Sequence, residues 1–480
     1  MSTACQPIKI RLKLKDFSDV LNLPDISNIT SSSCNTTVGY NGIDAVSFFQ
    51  TISDFYEQSK FWSNNLFSLP AGQNSKKFIS LMSYWVDQFN HDTPYMGIAL
   101  KVVMILPNLL LQKPSKSSKT VEHQKLLNER LQKWESGSFH ELFRECLCIQ
   151  RKLISSARTE ESTSQLFVRF MLHGKVNAAI RLLERDGSCG VLPLSDDTLG
   201  KLKDKHPDAA LAYKGSLLFG PIDDIPASYY DRIDERMIEN AIKQTKGAAG
   251  PSNMCGQFCQ VFCHKKFSNE GRTFRESIAR LAKKLATEVI DPQHLDSFVA
   301  CKLIPLDKCP GIRPIGIGET LRRVVGKAIS WVVKADAMVA AGPLQVAAGI
   351  KSGAEGAIHA IRDIYENDED SEAIILIDAQ NAFNSMNRAA ALHNIRIICP
   401  EVATYIINTY RSPPRLIIKA DRNTGDEIRS LEGTTQGDNL GMIFYCLGII
   451  PVLRSLKTLI ESSELSVKQA WLADDASAVG

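Results

Sequence analysis

The 480-residue sequence has no hydrophobic leader and no uninterrupted apolar run of bilayer length. It opens MSTACQPIKIRLKLKDF, where basic and apolar residues alternate, so no signal peptide is read there. The most apolar stretch, MGIALKVVMILPNLLL, carries Lys101 and Pro107 and falls short of the roughly 20 residues that cross a bilayer. It reads as a core helix broken at the proline. Without a leader, the twelve cysteines are expected to be thiols of an intracellular chain, nuclear or cytoplasmic, rather than a disulfide scaffold. The sequons at Asn28 and Asn35 then carry no sugar. Net charge is also scarce: +3 names no partner by itself. There is no repeat at a solenoid period, and no endonuclease constellation stands in residues 1–240, whose role the sequence leaves open.

At 44% hydrophobic and 23% charged the chain reads as globular, and its length implies two or three domains. Residues 301–480 hold 19 Lys and Arg against 21 Asp and Glu, a net of −2, which leaves +5 for residues 1–300. Residues 1–110 form an N-terminal region in which NITSSSCNTTVGYNG reads as loop and GIDAVSFFQTISDFYEQSKFW as helix. A basic helical region follows at 111–245. Its start contains Lys113, Lys116, Lys119, Lys125, Arg130 and Lys133 against Glu122 and Glu129, a net of +4 that suits either phosphate contacts or a solvated helix face. KGAAGPSNMCGQFCQVFC marks a boundary near 245. Cys255, Cys259 and Cys263, with His264 beside them, invite a zinc reading, but spacing by four puts all three thiols on one helical face and favours core packing.

The last half carries the chemistry. CKLIPLDKCPGIRPIGIG reads as two short strands around a turn at Cys309-Pro310-Gly311, followed by an amphipathic helix. Leu321, Val324, Val325, Ala328, Ile329 and Val332 fall on one face of it, and Arg323, Lys327 and Lys334 on the other. GIGETL lacks the third glycine of a dinucleotide loop. SEAIILIDAQNAF reads as a buried strand from Ala373 to Ile377 that ends on Asp378 and runs into a helix. An aspartate there is a natural N-cap, and equally a carboxylate placed to hold a cation beside a phosphate. Near the end, VKQAWLADDASAVG reads as a hairpin with Asp474 and Asp475 at its tip. Adjacent acids also occur at Asp196-Asp197 and Asp223-Asp224, and such pairs ordinarily sit in exposed turns. Two-metal phosphoryl transfer instead needs carboxylates converging on ions about 4 Å apart, and Asp378 with Asp474 and Asp475 would supply them.

Taken in order, these stretches resemble the fingers and palm of a reverse transcriptase of the non-LTR retrotransposon and group II intron type, over residues 246–480. GIRPIGIG resembles the fingers motif whose arginine meets the incoming triphosphate, here Arg313, with Lys302 and Lys308 as neighbouring basic contacts. LIDAQNAFNSMNR resembles the first palm motif, with its metal aspartate at Asp378, Ala379 in the nucleotide pocket and Phe383 beneath the sugar. An aromatic there excludes a 2'-hydroxyl and so selects deoxynucleotides; a ring merely packing inward with Ala379 and Ala382 is the structural alternative. EGTTQGDNLGMIFY resembles the motif whose Gln436-Gly437 pair packs under the nucleotide, and LADD resembles the aromatic-Ala-Asp-Asp box.

The resemblance implies an α+β chain with an antiparallel palm sheet. It also implies an RNA-directed DNA polymerase that uses two Mg²⁺, with Mn²⁺ as a substitute, on an RNA template, a DNA primer and dNTP, without a membrane partner. Leu472 stands where the family has Tyr or Phe, Asn439 where proline is common, and Asn384 where an acid is frequent. The sequence ends five residues after Asp475, before the remaining palm strands, the lysine-bearing motif and the thumb. A truncated palm relic that binds RNA or a protein partner is therefore the rival expectation, and an RNA-copying polymerase is a second.

Overall fold

The computed structural model describes residues 40–480 apart from 116–117, 156–162, 175, 177–178, 181–189, 309–310, 369–370, 421–423 and 464–465. The basic N-terminal stretch, both sequons, Lys116, Cys309 and Pro310 lie outside the described residues.

Helices dominate the first half: α1 (Ala45–Ser59), α2 (Gln73–Asn90), α3 (Met96–Leu110), α4 (Thr120–Glu135), α5 (Phe139–Ser155), α6 (Thr163–Leu172), α7 (Asp196–Asp204) and α8 (Glu235–Gln244). The start of α1 is set by Asp44, whose carboxylate accepts from the Ser47 backbone N–H at 3.0 Å. Its apolar positions Phe48, Ile52 and Phe55 then fall on one buried face. Helix α3 is almost wholly buried and is not broken at the proline. It continues through Pro107 to Leu110: the proline forfeits its own N–H bond, while the residues from Val102 to Leu110 remain packed in the core.

The second half alternates helices with short strands. After α9 (Ser268–Thr287) and α10 (Pro292–Val299) come β1 (Cys301–Asp307), β2 (Ile312–Gly318), α11 (Thr320–Ala341), α12 (Gly353–Asn367) and β3 (Ile374–Asp378). Then follow α13 (Arg388–Ile398), α14 (Pro400–Tyr410), β4 (Arg415–Lys419), β5 (Gly425–Arg429), α15 (Gly441–Gly448), α16 (Ile450–Ser462), β6 (Lys468–Leu472) and β7 (Asp475–Val479). The chain is α+β, with two small sheets rather than one among the described residues. The first, in order β2-β1-β4-β5, contains a parallel β1–β4 contact; the second, β3-β7-β6, is antiparallel. The stretch Gly441–Ser462 is apolar and long enough to span a bilayer by composition, yet its α15 half buries Phe444, Cys446 and Leu447 in the core.

Leu321, Val324, Val325, Ala328, Ile329 and Val332 of α11 are all buried. The five larger side chains together contribute roughly 10 kcal/mol of transfer free energy at about 2 kcal/mol each. One cluster of buried apolar side chains runs from Phe48 to Ala473, so the packing crosses residues 110 and 245 without a break. Polar contacts cross as well. Arg415, at the start of β4, is buried and bonds Glu57 of α1, Asp296 of α10 and Glu427 of β5.

Candidate active site

Strand β3 ends on Asp378, and the chain turns through Asn381 in the left-handed region (φ 55°) into the one-turn helix Ala382–Ser385 that carries Phe383. The β6–β7 hairpin turns at Ala473-Asp474, with Ala473 also left-handed at φ 57°. That conformation is unfavourable for alanine. Gln345 holds it: its buried side-chain oxygen accepts from the Ala473 N–H at 2.8 Å and its amide donates to the Ala473 carbonyl at 3.2 Å. A lone glutamine in an Ala- and Gly-rich run gave no sequence signal of this role.

The two elements meet. Asp378 stands directly opposite Asp475 in the β3–β7 register, and the Ala379 N–H donates to the Asp474 carbonyl at 3.3 Å. Burial pushes the Asp474 carboxyl above the usual range, and the charges of Asp475 and Asp378 push it the same way, while Lys308 acts against them. Two carboxylates at strand ends, one in the hairpin turn and one lysine from the β1–β2 hairpin therefore share one field. Among the described residues, no three His, Cys, Asp or Glu side chains stand close enough to form a finished cation cage. The donor set is nonetheless hard carboxylate oxygen, and magnesium takes one or two such groups with water and phosphate oxygens completing its octahedron. In kind, Asp378, Asp474 and Asp475 fit that ion or Mn²⁺.

Phe383 stacks on Tyr445 of α15, ring centroids 4.6 Å apart and tilted by 29°. The Tyr445 hydroxyl is held above its ordinary pKa by burial and then by the charge of Asp474, which ties this aromatic pair to the acidic turn. The Thr434 N–H donates to the Phe383 carbonyl at 2.5 Å and the Gly433 N–H to the Met386 carbonyl at 2.8 Å, so the Gln-Gly loop packs on the Phe383 turn. Its other side packs on β2, where the Gly316 N–H donates to the Gln436 carbonyl at 2.8 Å. Gly437 has φ 103°, and a Cβ there would lie 2.5 Å from the Gly316 carbonyl oxygen, so glycine is required at that close approach. Thr434 Oγ1, Thr435 Oγ1 and Gln436 Oε1 are buried with no partner among the described residues.

The basic residues divide. Arg313 on β2 is exposed, and Lys308 lies near Asp474. By strand parity Lys302 shares the Arg313 face, but its ammonium is drawn inward and donates to Asn253 Oδ1 at 2.8 Å, and burial depresses its pKa. Lys302 therefore braces the hairpin from beneath. In the basic region, Arg130 is fully buried on Glu145 and the Leu110 and Gln112 carbonyls, and Lys133 pairs with Glu141 and Glu145, so neither is presented to phosphate. The three-cysteine face is interrupted, because the helix runs only over Gly256–Cys259 and a 3₁₀ turn over Gln260–Cys263 follows. Cys259 is buried in the main core with Cys263 against it.

Residues 205–218 supply partners the sequence did not announce. Asn381 donates to the Lys205 carbonyl at 3.0 Å and Asn387 to the Ala210 carbonyl at 2.9 Å, while the Ala210 N–H donates to Glu432 at 2.6 Å. This extended run is strapped beside the turn that bears Phe383. No protein-family model matches the chain, and no curated protein is significantly similar to it.

Proposed function

We propose that the chain is a template-directed nucleotidyl transferase of the reverse transcriptase kind, copying RNA into DNA from a primer. The observation that carries this reading is the register that sets Asp378 against Asp475 with Asp474 at the adjoining turn. Supporting it, three stretches far apart in sequence lie near that β6–β7 turn or near each other beside it: the β1–β2 hairpin, the Phe383 turn and the Gln436-Gly437 loop.

Asp378 and Asp474 would hold the divalent cations, with Asp475 behind them. When bound, such ions acidify a primer 3'-hydroxyl and neutralise the triphosphate. In the reaction the primer 3'-oxygen attacks the α-phosphorus of the nucleotide, and the bond to pyrophosphate breaks. Arg313 and Lys308 on the hairpin meet the negative charge of the triphosphate. Phe383, fixed by its stack on Tyr445, closes the space a 2'-hydroxyl would need. Gln436 and Gly437 form the floor under the nucleotide, and the buried oxygens at 434–436 are groups a bound nucleotide or its ordered water would satisfy.

The test is extension of a DNA primer on an RNA template with Mg²⁺ and dNTP. Extension by the wild-type chain and none by Asp378→Ala supports the reading; no extension by either sinks it. A catalytically silent palm that binds a partner protein is the second reading. It is favoured by the apolar exposure of β3, where Ile375 is 60% and Leu376 77% accessible.

A further inference from the structure

The Gln-Gly loop is anchored at both ends by buried charge. Upstream, Arg388 spends its guanidinium on the backbone: Nε donates to the Gly433 carbonyl at 2.9 Å, Nη2 to the Glu432 carbonyl at 2.6 Å and to Ser430 Oγ at 2.7 Å, and Nη1 to the Ser430 carbonyl. Downstream, Asp438 Oδ2 accepts from Arg322 Nη2 at 2.7 Å and from the Tyr410 hydroxyl at 2.5 Å. Tyr410 is the hub. Its hydroxyl also accepts from the Thr435 N–H at 3.3 Å, and both guanidinium groups stand 5.5 Å from its ring centroid. The side chains of Arg322 and Asp438 are 1% and 5% exposed, so the ion pair is desolvated.

Such a pair is a poor device for stability alone, since apolar side chains of similar volume often serve as well. Fixed geometry is what it supplies. Between the anchors lie three successive buried oxygens, Thr434 Oγ1, Thr435 Oγ1 and Gln436 Oε1, without a partner among the described residues, and an unanchored loop could turn them to solvent. The loop also has no freedom on the β2 side, where Gly316 and Gly437 are in backbone contact.

We propose that Tyr410, Arg322 and Asp438 are positioning residues for the incoming nucleotide, holding the Thr434–Gly437 loop preorganised beneath it; this rests on the polymerase reading above. None of the three touches the reacting atoms. They act by keeping Gln436 and Gly437 at one height relative to β2, so that binding does not have to order the loop.

The test uses the full chain and two small changes. Tyr410→Phe keeps the ring between the two arginines and removes only the hydroxyl; Asp438→Asn keeps the shape and removes the charge. Steady-state primer extension and amide hydrogen exchange at Gly316, the donor to Gln436, are measured on each. The expected result is a KM for dNTP raised about 5- to 20-fold with kcat within about threefold, together with faster Gly316 exchange. An unchanged KM in both variants overturns the proposal, including where the melting temperature falls, because that is what a purely structural role predicts. If the wild-type chain extends no primer, the polymerase reading fails separately. Exchange then decides the loop-holding claim: faster exchange in the variants supports it and unchanged exchange overturns it.

Discussion

Asp378 and Asp475 face each other at the last rung of the β3–β7 ladder, two like charges placed directly opposite one another. Ordinary sheets avoid that arrangement, because like-charged cross-strand pairs are destabilising. The cation-binding role proposed above would give that pairing a reason.

Neutralising one member should therefore stabilise the ion-free protein while removing its activity. Asp378→Asn is expected to raise stability by about 0.5 kcal/mol at low salt, with the gain shrinking as salt screens the repulsion. Denaturant titration at two ionic strengths, beside a primer-extension assay, checks both halves. A variant that is less stable, or that still extends primers at the wild-type rate, counts against the pairing having this origin.

Phe383 should govern sugar choice. Replacing it with alanine opens the space beside Tyr445, and the ratio of ribonucleotide to deoxynucleotide kcat/KM is expected to rise about 10- to 100-fold. An unchanged ratio would show the ring to be packing only.

Gly437→Ala places a methyl group against the Gly316 carbonyl at a backbone angle alanine resists. The expected cost is at least about 1 kcal/mol, with nucleotide kcat/KM down by about tenfold or more. Calorimetry with kinetics checks this, and wild-type behaviour would mean that β2 and the loop are not in register.

Arg415 joins the N-terminal helices to the first sheet. Arg415→Met should cost about 3 kcal/mol, because it leaves Glu57, Asp296 and Glu427 without their shared partner. The same junction is acid-sensitive. Burial alone would push the Glu57 carboxyl up, but the hydrogen bonds and charges of Arg415 and Lys60 outweigh it and hold the group down at about 2. A depressed carboxylate stabilises the fold above its unfolded value of roughly 4.3 and ceases to do so as pH falls through the folded value. Stability should thus decline between about pH 4 and pH 2, and Glu57→Gln should flatten that part of the profile in denaturant titrations run across the range.

Much of the frame was legible in the sequence because local chemistry dictated it. Alternation marks β1 and β2, the 3.6-residue apolar stripe marks α11, and IILID followed by a small-residue turn marks the bounds of β3 to within one residue, but the strand expected to be buried is exposed along its whole length. The acidic site was legible as a pattern, because its residues lie at strand ends and a hairpin tip. What holds it was not legible. Gln345 under Ala473, Tyr410 under the Gln-Gly loop and the 205–218 strap on Asn381 act across 25 residues or more of chain, with no local periodicity to announce them. Lys302 shows the converse. On the sequence it is one more exposed lysine of a basic hairpin, and only the position of Asn253 reveals that it points inward.

The measurement closest to the chemistry is a Mn²⁺ titration of the full chain, followed by electron paramagnetic resonance with a non-hydrolysable dNTP present. Two ions should bind the wild-type protein, and Asp378→Asn with Asp474→Asn together should lower their affinity by about tenfold or more. Equal stoichiometry and affinity in the double variant would mean that these carboxylates hold no catalytic cation.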